Sequence, residues 1–366
     1  MRNHNASPFV SSAVDPWRGL PNDVDLSLAA FLPMPSRRRL ACVSRRHRVL
    51  FRPFELDDAL GETLFDFQLN VFTALSAASL GAQAKLFLFA DQPVELRVNS
   101  EARLSAVKPL LVACRAWQVA VVLRVLPPYQ LDLGGMDLSG MKLKGSSFRC
   151  VRLMGANLQG ADLSESDFEA CLGEGVDFSN SKLRGANFFK AELKRAKLAA
   201  VDARGANFSW AVLGDNTNFA GAQLQGAIFC FTKMQWASFI GACLLQAKLV
   251  YAQANHADFS GVDLSRSDCS SAMFDFANFS NSDCSNSIMT STSFVEARLG
   301  KATLVGCVMN YAILIHSRCQ GANFSGVSVF KADLRGVDLL EAVGCDKTQW
   351  QEADTTHAKI PTLCVS

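Results

Sequence analysis

The chain has 366 residues, with 36 Lys and Arg against 34 Asp and Glu, a net charge of +2 and 49% hydrophobic residues. That length leads us to expect two or three domains, and the charge balance excludes the dense acidic field that imitation of a nucleic-acid backbone requires. Twelve cysteines raise a disulfide framework, yet no CxxC pair occurs and the spacings fit no zinc pattern, so a reduced intracellular chain is expected.

Residues 1–15 are short and polar, and read as a flexible tail or as a targeting or secretion signal. They lack the long apolar run of a secretory leader. Residues 16–54 are more specific. Trp17, Leu20 and Pro21 open the segment with Asp23 close behind, Leu28 and Phe31-Leu32-Pro33 come next, and Leu40-Ala41-Cys42-Val43-Ser44-Arg45-Arg46 runs on from there. Asn22 or Asp23 can cap a first helix and Ser36 a second, by accepting from free backbone amides. This run resembles an F-box, a three-helix module. The resemblance implies that Leu20, Pro21, Leu28, Leu32, Pro33, Leu40 and Val43 form an apolar surface for the Skp-type linker of a cullin ubiquitin ligase. An ordinary small helical cap is the alternative. The basic cluster Arg37, Arg38, Arg39, Arg45, Arg46 and Arg48 has no interleaved aromatic platform and reads as a solvated face, so no nucleic-acid partner is expected.

Residues 55–130 read as a helical linker or cap. Phe65, Leu69, Phe72 and Leu75 lie at helical spacing, and a second helix is expected over about 102–126, stopped by Pro127-Pro128. Its positions Val107, Leu111, Cys114, Trp117 and Val121 share one face. Lys108, Arg115 and Arg124 make this stretch a poor membrane span. The segment is expected to cover the near end of the region that begins at Leu131, since an open β end exposes unpaired backbone.

From Leu131 to Leu340 the sequence repeats every five residues. Each unit is a small residue, often Asp or Asn, then Leu or Phe, then two variable positions. Of 42 first positions 21 are Ala, which leaves room for only one large inward residue per unit. Apolar residues fall two and then three apart without drift, which matches neither a helix nor a flat strand. Each unit is therefore an extended step with a turn at its end. Phe148, Phe168, Phe188, Phe208 and Phe229 fall on one side, and Phe178, Phe219, Phe239, Phe259 and Phe279 on another. This segregation requires an even number of units per coil and favours four. The extra residue within Gly214-Asp215-Asn216 is expected to bulge outward. Gly173, Ala203 and Ala254 occupy centres where a large residue belongs, so their coils are expected to be the loosest. The repeat resembles the pentapeptide-repeat family over residues 131–345. The resemblance implies a mainly β chain, a right-handed quadrilateral β-helix preceded by an all-α N-terminal region. Residues 346–366, with Trp350, are read as the C-terminal cap and tail.

The second variable position ends each step near a corner. One corner column runs Gly140, Gly160, Gly221, Gly241, Gly261, whereas the column beside the Phe148 stack carries Trp210, Phe231 and Tyr251. With outward Phe189, Ile228 and Val250 these form an expected apolar stripe for a target protein. Cover by the chain's own helices, a homodimer seam or plain surface remain open. His256 and His316 take equivalent outward positions three coils apart, too far to share a metal. No phosphate loop, nucleophile elbow or zinc motif is present, so no enzyme, cofactor or membrane contact is expected. The function expected is a non-enzymatic substrate adaptor of a Skp–cullin–F-box ligase, or else a scaffold with no ubiquitin role. Either would act in the cytoplasm or nucleus of a eukaryotic cell, a host cell if the source is a bacterium.

Overall fold

A computed structural model describes residues 94–98, 107–108, 111–112, 114–115, 120–125, 130–345, 350 and 352–360. The tail, the F-box-like segment with Leu20 to Val43, and the helix expected around Phe65 to Leu75 lie outside those residues.

Within 131–345 the five-residue step has a direct physical basis. Its first and third residues point inward and its second pairs with neighbouring coils. The next step's first amide closes a turn onto the centre's carbonyl, as Met136 N does to Leu133 O at 3.1 Å. The third turn residue takes positive φ, 66° at Gly135 and 67° at Gly140, the signature of a turn that favours glycine there. Asp or Asn at the second position caps the turn, since its side-chain oxygen accepts from the amide two residues on. Ser139 N to Asp137 Oδ1 at 3.1 Å and Ser179 N to Asp177 Oδ1 at 2.9 Å are two cases.

Parallel bridges join residues one coil apart: Asp132 with Arg152, Asp137 with Asn157, Lys142 with Asp162, Ser147 with Asp167. A coil is thus four steps, and the cross-section has four sides. We number the sides in chain order, the first through Leu133 and Leu153, the fourth through Phe148 and Phe168. Within 131–343 the pairing slips by one residue where the extra residue lies, as in Lys197 with Asn218 and Asp202 with Gln223. Asp215 and Asn216 are exposed with φ of 56° and 69°, while Leu213 and Thr217 on either side stay buried. The bulge is outward and the core keeps its register.

The core is a set of stacked columns. Phe148, Phe168, Phe188, Phe208 and Phe229 stack at 4.7 to 4.9 Å. Phe219, Phe239, Phe259 and Phe279 stack on the opposite side at 4.8 to 4.9 Å. The two columns meet edge to face, Phe168 with Phe178 at 5.4 Å and Phe208 with Phe219 at 5.6 Å, a favourable geometry for ring quadrupoles. Several buried hydroxyls donate to carbonyls of the preceding coil, Thr232 Oγ1 to Phe208 O at 2.8 Å and Ser287 Oγ to Leu264 O at 2.7 Å. Gly173 leaves no loose coil: a Cβ there would lie 2.8 Å from Leu193 and 3.1 Å from Val176, which fill the space, and Leu172 still pairs with Glu192. Ala203 and Ala254 are likewise fully buried within unbroken pairing.

The segment before the repeat departs from the helical expectation. β1, Val94–Val98, pairs in parallel with β2, Val121–Val125, and the helical residues at 107–108, 111–112 and 114–115 lie between them in sequence. The expected helix over 102–126 therefore gives way to a strand at its C-terminal end. β2 joins the first coil: Val121 N donates to Lys142 O at 2.8 Å and Ser147 N to Leu123 O at 2.6 Å. Val107, Leu111 and Cys114 are buried, and Arg115 bonds Asp137 at 2.7 Å and Ser139. At the far end Trp350 is buried edge-on to Phe324, and Asp354 and Lys359 pair with Asp333 and Asp338. The polar run after 346 thus adds two more steps.

Candidate functional site

A side chain on a corner residue leaves the rod. At Gly135, Gly140, Gly160, Gly221 and Gly241 an added Cβ would meet nothing within 4 Å. Bulky residues nonetheless occupy the same left-handed backbone at Trp210, Phe231 and Tyr251, with φ of 62°, 58° and 57°. Such a conformation costs about 1 kcal/mol for a residue with a Cβ.

These three rings form a ladder on the corner between the fourth and first sides, 4.7 Å from Trp210 to Phe231 and 5.0 Å from Phe231 to Tyr251. All three are exposed, Trp210 by 53%. Phe189, Ile228 and Val250 are half-buried beside them, and Lys190 Nζ lies 5.1 Å from the Phe189 ring centre.

The next corner, between the first and second sides, holds a second ladder that the sequence reading missed. Trp236 stacks on His256 at 4.1 Å, and His256 on Phe276 at 4.8 Å. All three have positive φ and are exposed. The signal was available: 236, 256 and 276 recur at the same twenty-residue interval as the core phenylalanines. Pairing His256 with His316 as metal ligands hides its aromatic neighbours. Among the described residues no group of three His, Cys, Asp or Glu side chains is arranged to hold a metal.

The first side lies between the ladders. Phe231 and Trp236 bracket one step, and Tyr251 and His256 the next. Its outward residues are Lys233, Gln235, Gln253, Asn255, Met273 and Asp275, the last accepting from Ser293 Oγ and from Val295 N at 3.1 Å. Gln235 Nε2 donates to Gln253 Oε1 at 3.2 Å, while the buried Asn255 Oδ1 has no partner.

The inward cysteines Cys171, Cys269, Cys284, Cys307 and Cys319 are free and buried. Burial pushes the Cys269, Cys307 and Cys319 thiols up to about 12, so they act as small core residues and not as nucleophiles. Among the described residues no helix is long and apolar enough to cross a membrane. Leu20, Pro21, Leu28, Leu32, Pro33, Leu40 and Val43 fall outside the described residues, and this structure does not position them.

The family model described as Pentapeptide repeats (8 copies) matches segments running from residues 130–160 to residues 304–339. Among solved structures, HetL, a pentapeptide repeat protein involved in heterocyst differentiation regulation from the cyanobacterium Nostoc sp. strain PCC 7120, is 23% identical. The match covers 58% of this chain and 84% of that one, with a TM-score of 0.31. Full-length QnrB1, a plasmid-mediated fluoroquinolone resistance protein, is 18% identical over 60% of this chain and 96% of that one, with a TM-score of 0.23. A pentapeptide repeat protein from the Arabidopsis thaliana thylakoid lumen is 34% identical over 29% of this chain and 73% of that one, with a TM-score of 0.18. A search of curated proteins found no match. With the family model matching more than half of its length, this chain belongs to the pentapeptide-repeat family, and its rod is a right-handed β-helix.

Proposed function

We propose that the chain is a non-enzymatic protein-binding scaffold whose rod presents its corner aromatics to a partner. One observation carries this reading. Six rings stand at left-handed corners where the neighbouring glycines show open space, and all six are exposed. They add nothing to the core, and each carries a backbone cost of about 1 kcal/mol. Contiguous exposed aromatic surface is the usual composition of an interaction site. The test is capture by the immobilised full chain from eukaryotic lysate, read by quantitative mass spectrometry. Trp210→Ala with Phe231→Ala is expected to remove the enriched proteins; undiminished capture by that variant places the binding surface elsewhere.

A finer reading makes the scaffold a substrate adaptor of a Skp–cullin–F-box ubiquitin ligase. Its support is the sequence of residues 17–51, with Leu20, Pro21, Leu28, Leu32, Pro33, Leu40 and Val43 as the docking surface. Catalysis would then belong to the partner complex, and this chain would supply proximity and orientation. Co-purification of a Skp-type linker and cullin, lost on Leu20→Ala with Pro21→Ala, is expected. A wild-type chain that captures neither excludes the adaptor role. Removing residues 1–54 while keeping target capture leaves the scaffold reading intact.

A further inference from the structure

We propose that the first side of the rod between the two ladders, residues 231–276, is a groove for one amphipathic helix of a partner protein, lying along the rod axis. The proposal rests on the scaffold reading and names the class of partner. Two ridges border the groove, Trp210–Phe231–Tyr251 and Trp236–His256–Phe276, and its floor carries two charges, Lys233 at one end and the already hydrogen-bonded Asp275 at the other.

Ring orientation narrows the occupant. Within each ladder the planes are close to parallel, 12° and 15° in the first and 2° and 7° in the second. Each ring covers its neighbour's face, so the groove meets ring edges. Edges carry the positive end of the ring quadrupole, whereas cation binding needs an open face. A basic peptide or a quaternary ammonium group is therefore disfavoured. A partner's aliphatic side chains, aromatic faces and carbonyls are favoured.

Backbone pairing excludes strand addition on this side. Lys233 N donates to Ala211 O at 3.0 Å, Met234 N to Gln253 O at 2.7 Å, Trp236 N to Asn255 O at 3.2 Å and Gln253 N to Thr232 O at 2.9 Å. No free row of amides and carbonyls remains for an extended peptide.

Size argues for a single helix. Four coils at about 4.8 Å give a groove of roughly 20 Å, and a step of three extended residues makes it roughly 10 Å wide. A helix is about 10 Å across with its side chains, and about 13 residues span that length. A stable dimer of this chain would need about 800 Å² from each copy. A patch of roughly 20 by 20 Å, ridges included, supplies about half of that. The floor adds two polar requirements. Lys233 is exposed and forms no ion pair among the described residues, so it suits a carboxylate. Asn255 Oδ1 is unpaired but closed off from solvent, so a partner's side-chain donor meets it once the Asn255 amide turns outward. The partner helix thus carries apolar residues at i, i+3, i+4 and i+7, flanked by an acid and an amide or hydroxyl.

The experiment displays a random library of peptides of about 14 residues, the helical length of the groove, to the full chain. Counter-selection uses the full-length Trp236→Ala, Phe276→Ala variant, with circular dichroism to verify its fold. Enriched peptides are expected to share the helical apolar spacing with an acidic residue. They should bind the variant at least about tenfold more weakly by fluorescence anisotropy. Gln253→Arg, which places a charge on the floor without touching the ridges, should weaken them too. The proposal is overturned by no enrichment, by enriched peptides that are basic or lack the spacing, or by peptides that bind either variant as tightly as the wild type. Sedimentation of the wild type alone should show a monomer. A dimer that Trp236→Ala with Phe276→Ala dissociates would assign the face to a second copy and overturn the helix. If only Trp210→Ala with Phe231→Ala abolishes lysate capture, the scaffold stands and the groove falls.

Discussion

The rod up to Asp215 carries 22 charged side chains from residue 131 onward, and the longer stretch 216–332 carries 13. In the first region ions pair from coil to coil: Lys144 with Glu165 at 3.1 Å, Arg149 with Glu169 at 2.7 Å, Lys197 with Asp177 at 3.4 Å. Among the described residues no ion pair lies wholly within 216–332. Five of the six ladder rings stand in that second region. The interior changes as well. The Phe column of the fourth side ends at Phe229 and continues as Leu249, Cys269, Met289 and Met309. The same backbone step thus supports a charged stretch and a sparsely charged, aromatic-cornered one, both cored by phenylalanine. Desolvating ions is expensive, so a surface meant to be covered by a partner is better built from rings and amides.

The largest expected effect is in the core, where a stacked ring and a small thiol take equivalent places in the two regions. Phe188→Ala, cut from the middle of a stacked column, should cost about 3–5 kcal/mol by chemical denaturation. Cys284→Ala, a smaller loss at an equivalent inward position, should cost about 1 kcal/mol. Equal costs would mean that the Phe188 ring is not close-packed in its column. Acid should separate the regions next. The Arg204 side chain holds Asp202 below the ordinary 3.8. Partial burial pushes Asp177 up, but bonds from Ser179 and Lys197 win and lower it. A lowered carboxylate contributes stability that is complete above its unfolded value and is lost as pH falls from 3.8 through the lower folded values. No lowered carboxylate is resolved within 216–332. Hydrogen exchange at falling pH should therefore loosen 131–215 before 230–320, and simultaneous loosening would remove the contrast. The smallest effect belongs to the corners. Trp236→Gly relieves a left-handed backbone but loses one stack and adds unfolded-state freedom. Its midpoint should shift by less than about 1 kcal/mol, while peptide binding falls. A large loss of stability would make the ladder a structural element.

Much of the rod was legible because each inward position has one demand, and the sequence meets it at a fixed interval. The two Phe columns and the ladder through Trp210, Phe231 and Tyr251 emerge from counting. What counting missed had a different signal. Val121, Leu123 and Val125 alternate inward, with Val122 and Arg124 more exposed between them, a two-residue period hidden inside an apolar run that also fits a helix. Gly173 looks like a void in sequence because its tolerance depends on Leu193, a residue one coil away. Trp236 and Phe276 escape notice when His256 is weighed as a ligand and not as the middle ring of a stack. The F-box-like residues Leu20 to Val43 lie outside what the structure describes, so their reading stays with the sequence.

The open corners also separate two kinds of heredity in this chain. Mutations at inward sites are judged by the fold, whereas a change at a corner such as Gly221 or Gly241 meets open space and, beyond a backbone cost of about 1 kcal/mol, alters what the rod shows to solvent. A lineage built this way can trade one ligand for another by rewriting single letters, twenty apart, without first repairing its architecture.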